Sequence, residues 1–253
     1  MPVLTDDMVS KTIRGSDFAF SHTKIDRLGA DRYCLATLVL DVTGSVCGYE
    51  TEIEGALKTV ASACSDAGLN PTADNTMLRV VLFSSRLGIQ EVHGFKLVQD
   101  IEAGQYDGII RTGGMTPLYD AAYSAIQATV DFGRDLVQDG YVVNGICVVV
   151  TDGENNCGKM GRPSVKKAIE EATRGEVLES FRPVLVGLNV DPQSGSNYWL
   201  DLFRQEAGFD QYETVKNLTA DSAAKLAGWI HRSISAQSQS VGTGGPSQSL
   251  ALS

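Results

Sequence analysis

Three oxygen-bearing side chains follow a predicted buried strand early in the chain. Asp41, Thr43 and Ser45 come directly after the mostly apolar run 35–40. A carboxylate and two hydroxyls at this spacing place hard oxygen donors at the end of a strand. Mg²⁺, Mn²⁺ and Ca²⁺ prefer hard oxygen ligands, whereas softer metals prefer thiolate and imidazole. The spacing therefore predicts a site for a hard divalent cation.

Two later segments carry residues of the same kind. Residues 113–118 (GGMTPL) place Thr116 just before a predicted helix, and residues 148–153 (VVVTDG) place Asp152 just after the most hydrophobic predicted strand. In an open α/β sheet, ligands bind outside the carboxyl ends of the strands, where the strand order reverses. We therefore expect Asp41 and Asp152 to end adjacent central strands.

Together the three segments resemble the von Willebrand factor A (vWA) family and its metal-ion-dependent adhesion site (MIDAS). The family pattern is D-x-S-x-S at the end of the first strand, a threonine in a middle loop and an aspartate after a later hydrophobic strand. Carried over by position, the resemblance implies a metal site made of Asp41, Thr43, Ser45, Thr116 and Asp152. Thr43 stands where serine is usual, so the hydroxyl is kept and a methyl is added. The resemblance runs from about residue 33 to about residue 235.

The resemblance also implies how the site works. Thr43 and Ser45 would coordinate the metal directly, and Asp41 and Asp152 would act partly through bound waters. Mg²⁺ keeps several waters, so a few protein ligands suffice. Within the family, an acidic side chain of a partner protein fills the open coordination position. We therefore expect Mg²⁺, or Mn²⁺ or Ca²⁺ in its place, and a protein partner that offers a Glu or Asp to the metal.

The same residues also have structural interpretations. The three side chains after the first strand could cap a strand-to-helix turn, and Asp152 could be an ordinary turn residue. Thr116 could cap the helix that Pro117 opens, alone or in addition to binding a metal. Cys47 and Cys157 follow the same strand ends and could form a thiolate site or a redox pair, although free loop thiols are the simpler interpretation.

Predicted strands and helices alternate along the chain. The strands lie near 35–40, 78–83, 89–92, 146–150, 184–190 and 212–215, and the helices near 53–64, 117–130, 165–172, 199–206 and 223–230. This alternation predicts an α/β fold with a doubly wound, mostly parallel sheet and helices on both faces. The segment 89–92 is predicted to be one antiparallel edge strand. Thr219 is a predicted N-cap of the last helix, and Trp199 and Trp229 are predicted core residues.

The chain is predicted to have three parts. Residues 1–32 are an N-terminal arm or an extra edge strand, with 18–25 as the candidate strand. Residues 33–235 form the vWA domain. Residues 236–253 are rich in Ser, Gly and Gln and are predicted to be a disordered tail.

Composition excludes several classes of partner. The 253 residues carry 31 acidic and 21 basic side chains, a net charge of −10, without a dense basic run, so no nucleic-acid partner is expected. The first ten residues lack an apolar core, which predicts no secretory signal. No apolar stretch approaches the roughly 20 residues needed to span a bilayer, so no membrane partner is expected. The odd count of five cysteines predicts reduced thiols in a cytoplasmic protein.

These observations favour a non-enzymatic, metal-dependent protein-interaction module. A vWA subunit of an ATP-driven AAA+ assembly is the alternative, and it differs only in the partner. A hydrolase that uses the same cation to activate water is a third possibility, and a metal-free structural subunit is a fourth. The sequence contains no G-x-S-x-G nucleophile motif, and residues 44–48 lack the G-K-[ST] ending of a P-loop. We therefore predict that the chain is not an enzyme.

Overall fold

The structure is a computed structural model that describes residues 8–174, 176–190 and 198–252. These residues form eight strands and five α-helices. The strands are β1 (Met8–Thr12), β2 (Ala19–Thr23), β3 (Arg32–Asp41), β4 (Thr76–Ser84), β5 (Gly88–Leu97), β6 (Val142–Thr151), β7 (Phe181–Leu188) and β8 (Gln211–Val215). The helices are α1 (Glu50–Ser65), α2 (Leu118–Gln138), α3 (Arg162–Thr173), α4 (Tyr198–Ala207) and α5 (Ala220–Gln239).

All eight strands form one sheet in the order β1-β2-β5-β4-β3-β6-β7-β8. The five strands from β4 to β8 in this order run parallel to one another, and β5 is antiparallel to β4. The predicted fold class, a doubly wound and mostly parallel α/β sheet, is confirmed. The predicted antiparallel strand 89–92 lies within β5, but β5 is not at the edge, because β2 and β1 extend the sheet beyond it.

Two apolar cores cover the two faces of the sheet. One core lies under α1 and α5, and the other lies under α2, α3 and α4. In β6, Val148 and Val150 belong to the first core, whereas Cys147 and Val149 belong to the second. Side chains alternate between the faces of a strand, so a strand covered on both sides is apolar throughout. This double burial explains why residues 146–150 within β6 form the most hydrophobic predicted strand.

The described part of the N-terminal segment is an extension of the sheet. β1 pairs with β2, and β2 lies parallel to β5 with His22 opposite Phe95. The Glu91 carboxylate accepts hydrogen bonds from the backbone N–H (3.0 Å) and hydroxyl (2.6 Å) of Ser21. A Cβ at Gly94 would overlap the backbone oxygen of Ser21, so glycine permits this close approach. β2 lies within the candidate strand 18–25, and β1 is the strand at the edge of the sheet; residues 1–7 lie outside the described residues.

The C-terminal segment differs from its prediction as a disordered tail. α5 continues to Gln239, and Val241 is buried in the core under α1 and α5. The backbone oxygen of Leu250 accepts hydrogen bonds from Trp229 Nε1 (2.8 Å) and Gln211 Nε2 (2.5 Å). A small number of apolar residues is enough to dock this Ser- and Gly-rich stretch on the core. The average composition of the stretch does not reveal them. Residue 253 lies outside the described residues, and the domain boundaries at 33 and 235 stay predictions.

Two further predictions concern membrane-spanning helices and the cysteines. Nowhere in 8–174, 176–190 and 198–252 is a helix both long and apolar enough to traverse a bilayer.

All five cysteines lie in these ranges and are free, and burial raises the pKa of Cys64 and Cys147 to about 12. These two thiols therefore remain protonated at neutral pH. The cytoplasmic location stays a prediction.

Candidate metal centre

Strand pairing brings the two candidate aspartates to one edge of the sheet. β3 and β6 are parallel neighbours, with Leu40 opposite Val150. Asp41 is the last residue of β3, and Asp152 directly follows Thr151, the last residue of β6. Because parallel strands end at the same edge, both carboxylates lie where the central strands stop.

Three of the candidate oxygen donors form a continuous chain. Thr43 Oγ1 lies 3.1 Å from Ser45 Oγ, and Ser45 Oγ donates a hydrogen bond of 2.7 Å to Asp152 Oδ1. Mg²⁺ binds oxygen at about 2.1 Å in a near-octahedral arrangement, in which adjacent ligands are separated by about 3 Å. The two distances bracket this separation. The donor set therefore fits a hard, octahedral cation.

Asp41 holds the loop that carries the hydroxyls. Its Oδ1 accepts a hydrogen bond of 2.9 Å from the backbone N–H of Thr43, and its Oδ2 accepts one of 2.6 Å from the hydroxyl of Thr151. Asp41 is almost fully buried. Burial raises its pKa to about 6, and the hydrogen bonds from Thr151 and Thr43 only partly oppose this effect. Each carboxylate oxygen of Asp41 thus holds one neighbouring group, and the bond to Oδ1 fixes the backbone of Thr43.

Asp152 is a second carboxylate in a partly desolvated position. Burial raises the pKa of Asp152, and the hydrogen bond from Ser45 opposes the rise. The negative charge of Asp152 also contributes to the raised pKa of Asp41. Two neighbouring carboxylates that lose hydration are costly to ionise without a counter-charge. A cation beside them would offset that cost.

The loop of Thr116 is hydrogen-bonded to the end of β3. Gly44 N–H donates to the carbonyl of Gly114 (3.1 Å), and Gly113 N–H donates to the carbonyl of Val42 (2.9 Å). Gly114 has a φ of +88°, and a Cβ there would lie 2.8 Å from Ser85 Oγ, so the loop requires glycine at this position. Thr116 itself is nearly buried and faces the β6 end, where its Oγ1 lies 3.9 Å from the position that a Cβ of Gly153 would take.

The interpretation of Thr116 as a helix cap is wrong. α2 begins at Leu118 with Pro117 as the N-cap residue, and the side chain of that residue makes no capping hydrogen bond. Thr116 lies one residue before the N-cap, and its backbone is hydrogen-bonded to Asn156. Its N–H donates to Asn156 Oδ1 (2.7 Å), and its carbonyl accepts from Asn156 N–H (3.1 Å).

A matched set of substitutions tests the absence of a cap at Thr116. We expect Thr116→Ser and Thr116→Ala to differ in free energy of unfolding by less than about 0.5 kcal/mol, because no cap bond is lost. The same pair at Thr219 is the control, because Thr219 accepts from Ser222 N–H in a capping box, as predicted for this N-cap. There the difference should be about 1 kcal/mol. Urea unfolding measures both, and an equal difference at the two positions would restore the cap interpretation.

The sequence did not predict that Asn155, Asn156 and Asp120 support the loops of the centre; the two asparagines were expected to form its rim or a solvated loop. Asn155 Oδ1 accepts from the N–H of Tyr119 (3.0 Å), so both asparagines after β6 tie this loop to the start of α2. Asp120 accepts from the N–H groups of Lys159 (2.9 Å) and Met160 (2.7 Å). Asparagine in a loop commonly orders nearby backbone, and the adjacent pair in the sequence was the available signal. The hydrogen-bond partner of Asn156, Thr116, lies 40 positions away in the sequence, so local spacing could not predict this contact.

The donor set is distinct from that of thiolate- or imidazole-based sites. Across the described residues, no group of three or more His, Cys, Asp or Glu side chains is arranged to hold a metal. The candidate centre instead combines two carboxylates with three hydroxyls. Cys47 is exposed and Cys157 is half-buried, and both are free thiols. The centre therefore has the oxygen chemistry of Mg²⁺ rather than that of a soft metal.

Comparison with known proteins places the fold. Neither a protein-family model nor a curated protein matches the sequence. Among solved structures, proximal thread matrix protein 1 (PTMP1) from the mussel byssus aligns with a TM-score of 0.55 at 17% identity, over 81% of this chain and 46% of PTMP1. PTMP1 has also been solved with a zinc-occupied MIDAS motif, and that structure aligns with a TM-score of 0.55 at 16% identity, over 79% of this chain and 48% of PTMP1.

The chain has a vWA-like fold. The D319A mutant of the PilB minor pilin from Streptococcus sanguinis also aligns, with a TM-score of 0.56 at 11% identity over 86% of this chain and 64% of PilB. The chain spans about half the length of PTMP1 and less than two thirds of PilB. At these identities the likeness establishes the vWA-like architecture, and the function has to be argued from the site.

Proposed function

We propose that the chain is a protein-interaction module that binds a divalent cation where β3 and β6 end and, through it, an acidic side chain of a partner protein. The proposed metal ligands are Asp41, Thr43, Ser45, Thr116 and Asp152, with Asp41 and Asp152 acting partly through waters. Mg²⁺ is the proposed ion, and Mn²⁺ and Ca²⁺ use the same oxygen chemistry. The proposal rests above all on the spacing of 3.1 Å and 2.7 Å along Thr43, Ser45 and Asp152.

The charges of the site support an acidic partner. Two carboxylates balance a divalent cation, and neutral hydroxyls complete only part of its coordination shell. When bound, the cation supplies an open, positively charged position that attracts a carboxylate oxygen. The chain's own residues fix this arrangement: Asp41 orients Thr43, and Asn156 holds the backbone of Thr116.

A non-enzymatic role is part of the proposal. The structural neighbours are a byssus matrix protein, a minor pilin and a pilus adhesin. Those names describe proteins of assemblies and adhesion. An interaction module of this kind requires only that its ligands be held rigidly, and the hydrogen bonds to Asp41 and Asn156 provide that.

Metal should stabilise the fold measurably. A ligand that binds only the folded state adds about 2.7 kcal/mol at about 100 times its Kd. For a domain of this size, we expect Mg²⁺ to raise Tm by about 5 to 10 °C. Differential scanning fluorimetry in Mg²⁺ and in EDTA measures the shift. Asp152→Asn is the control, since it keeps the shape and removes the charge; identical melts of wild type in Mg²⁺ and EDTA would contradict the proposal.

Capture of a partner tests the function itself. The immobilised chain is incubated with lysate of its native source in Mg²⁺ or in EDTA, beside Thr116→Ser and Thr116→Ala. We expect a partner retained by wild type and Thr116→Ser in Mg²⁺, and lost with EDTA or with Thr116→Ala. An ATPase subunit as the partner would select the AAA+ alternative. A partner retained under every condition would mean that binding uses another surface.

A further inference from the structure

Three large apolar side chains are exposed at the same edge of the sheet as the candidate metal centre. Met115, Tyr198 and Trp199 expose 54%, 61% and 48% of their surface. Trp199 is thus not the core residue that its helical spacing predicts, whereas Trp229 is fully buried. Large exposed apolar side chains beside a polar centre are typical of interaction surfaces. We call these three residues the apolar rim.

Backbone contacts fix the position of Met115. Met115 directly precedes Thr116, its N–H donates to Ser85 Oγ (2.7 Å), and its carbonyl accepts from Ser85 N–H (2.8 Å). Both hydrogen bonds hold the backbone, so the exposed side chain is presented from a fixed point beside the metal centre.

Tyr198 and Trp199 are the first two residues of α4, which begins near the carboxyl ends of β6 and β7. The next residue, Leu200, packs on β7, with its Cδ1 3.4 Å from the position that a Cβ of Gly187 would take. Gly187 lies opposite Thr151 in the register of β6 and β7. Thr151 directly precedes Asp152. The first turn of α4 therefore lies one strand away from the carboxyl end of β6, where the candidate metal centre is located.

A second contact places α4 beside the loops of the centre. Phe203, one turn after Trp199, packs against Tyr119 with ring centroids 4.8 Å apart. Tyr119 is in the first turn of α2, and its N–H donates to Asn155 (3.0 Å). The rings of Tyr198 and Trp199 lie edge to face, 5.1 Å apart at 74°. Such a pair offers large contact area with little side-chain freedom to lose on binding.

We infer that the apolar rim contacts the partner, and that the partner segment is an acidic residue flanked by large apolar side chains. This inference rests on the proposed function, because the acidic residue would reach the metal. The exposed Arg86 adds complementary charge: its guanidinium Nη1 lies 3.4 Å from the position that a Cβ of Gly113 would take. The net charge of −10 repels an acidic segment over the molecule as a whole, so its binding here would depend on the positive charges of Arg86 and of the bound cation.

Selection from a peptide library tests the inference. The library carries Glu or Gln at a central position and random residues on both sides, and selection uses the immobilised wild-type chain in Mg²⁺. We expect enrichment of Glu over Gln, with Leu, Ile, Phe, Met or Trp at the flanking positions. The most enriched peptide, synthesised with a fluorophore, then gives a Kd for each variant by anisotropy.

Matched variants separate the rim from the metal centre. Met115→Ser combined with Trp199→Ala should weaken the selected peptide by at least about tenfold, since exposed aromatic anchors carry much of an interface's affinity. Tyr198→Ser alone should weaken it as well. Leu69→Ser is the control, because Leu69 is 57% exposed between α1 and β4, at the opposite edge of the sheet. Thermal melts verify that each variant is folded.

The outcomes separate the two proposals. Enrichment of Glu with polar flanks, or equal affinity of wild type and the rim variants, overturns the inference and leaves the proposed function intact. Selection of apolar peptides without a preference for Glu, with the same affinity in EDTA as in Mg²⁺, overturns the proposed function. It also overturns the inference, because the partner would then not bind through a metal. Glu with apolar flanks, lost in EDTA and weakened by the rim variants, supports both.

Discussion

Truncation after Ser240 is expected to lower the free energy of unfolding by about 4 to 6 kcal/mol. The deletion removes Val241, which is 4% exposed, and Leu250 and Leu252, which pack against the core under α1 and α5. Full burial of one such side chain is worth about 1.5 to 3 kcal/mol, and partial burial proportionately less. The indole N–H of Trp229 also loses the carbonyl of Leu250 as its acceptor.

Urea denaturation followed by tryptophan fluorescence measures this loss directly, because Trp229 lies under the docked segment. Gln248→Ala is the control within the same segment, since Gln248 is exposed, and it should change the free energy of unfolding by less than about 0.5 kcal/mol. An unchanged midpoint for the truncated chain would mean that the segment is not docked in solution, as composition alone predicts.

The double variant Thr43→Val, Ser45→Ala is expected to bind Mg²⁺ at least about 100-fold more weakly than wild type. Even supporting residues of metal sites commonly contribute about 10- to 100-fold in affinity. The two hydroxyls are the neutral donors that lie 3.1 Å apart at the end of β3. The fold should survive, because Asp41 keeps the hydrogen bonds from the backbone N–H of Thr43 and from the hydroxyl of Thr151, which the substitutions do not touch.

Isothermal titration with Mg²⁺ measures the affinity of this variant, and its melting temperature in EDTA verifies the fold. Thr59→Val combined with Ser62→Ala is the matched control, since it removes two exposed hydroxyls from α1. The control should bind Mg²⁺ as wild type does. Equal affinity of all three proteins would exclude Thr43 and Ser45 as ligands.

Burial on both faces explains which parts of the fold could be predicted from the sequence. The runs that became β3 and β6 are mostly apolar because helices cover both faces, and this pattern is visible without the structure. β1 and β2 lack such a pattern. β2 pairs with β5 around one register position, His22 with Phe95, and depends on the carboxylate of Glu91 and on the missing Cβ of Gly94. No local sequence pattern encodes those contacts.

The C-terminal segment illustrates the limit of composition as a guide. A stretch rich in Ser, Gly and Gln usually lacks the apolar surface needed to order it. Here Val241, Leu250 and Leu252 supply that surface, and the edge of the sheet supplies polar partners such as Gln211. The fold was therefore decided by a few spaced residues rather than by the average of the stretch.

Part of the candidate site could also be predicted from the sequence. Asp41, Thr43 and Ser45 are close in sequence, so their proximity follows from the strand end. Their relation to Asp152 follows from the pairing of two recognisable strands. The position of Thr116 does not follow, because Asn156, from another loop, holds its backbone and leaves Pro117 at the N-cap of α2. A contact between two loops depends on the assembled sheet.

Titration with Mn²⁺, followed by the relaxation rate of water protons, tests the central claim most directly. Mn²⁺ has the oxygen chemistry proposed for the site, and a bound ion that keeps exchangeable waters enhances the relaxation of bulk water. We predict one bound Mn²⁺ per chain with enhanced relaxation, displaced by Mg²⁺ and lost in Asp152→Asn. A wild-type chain without enhancement, or one whose enhancement is unchanged in Asp152→Asn, would contradict a metal centre at the ends of β3 and β6.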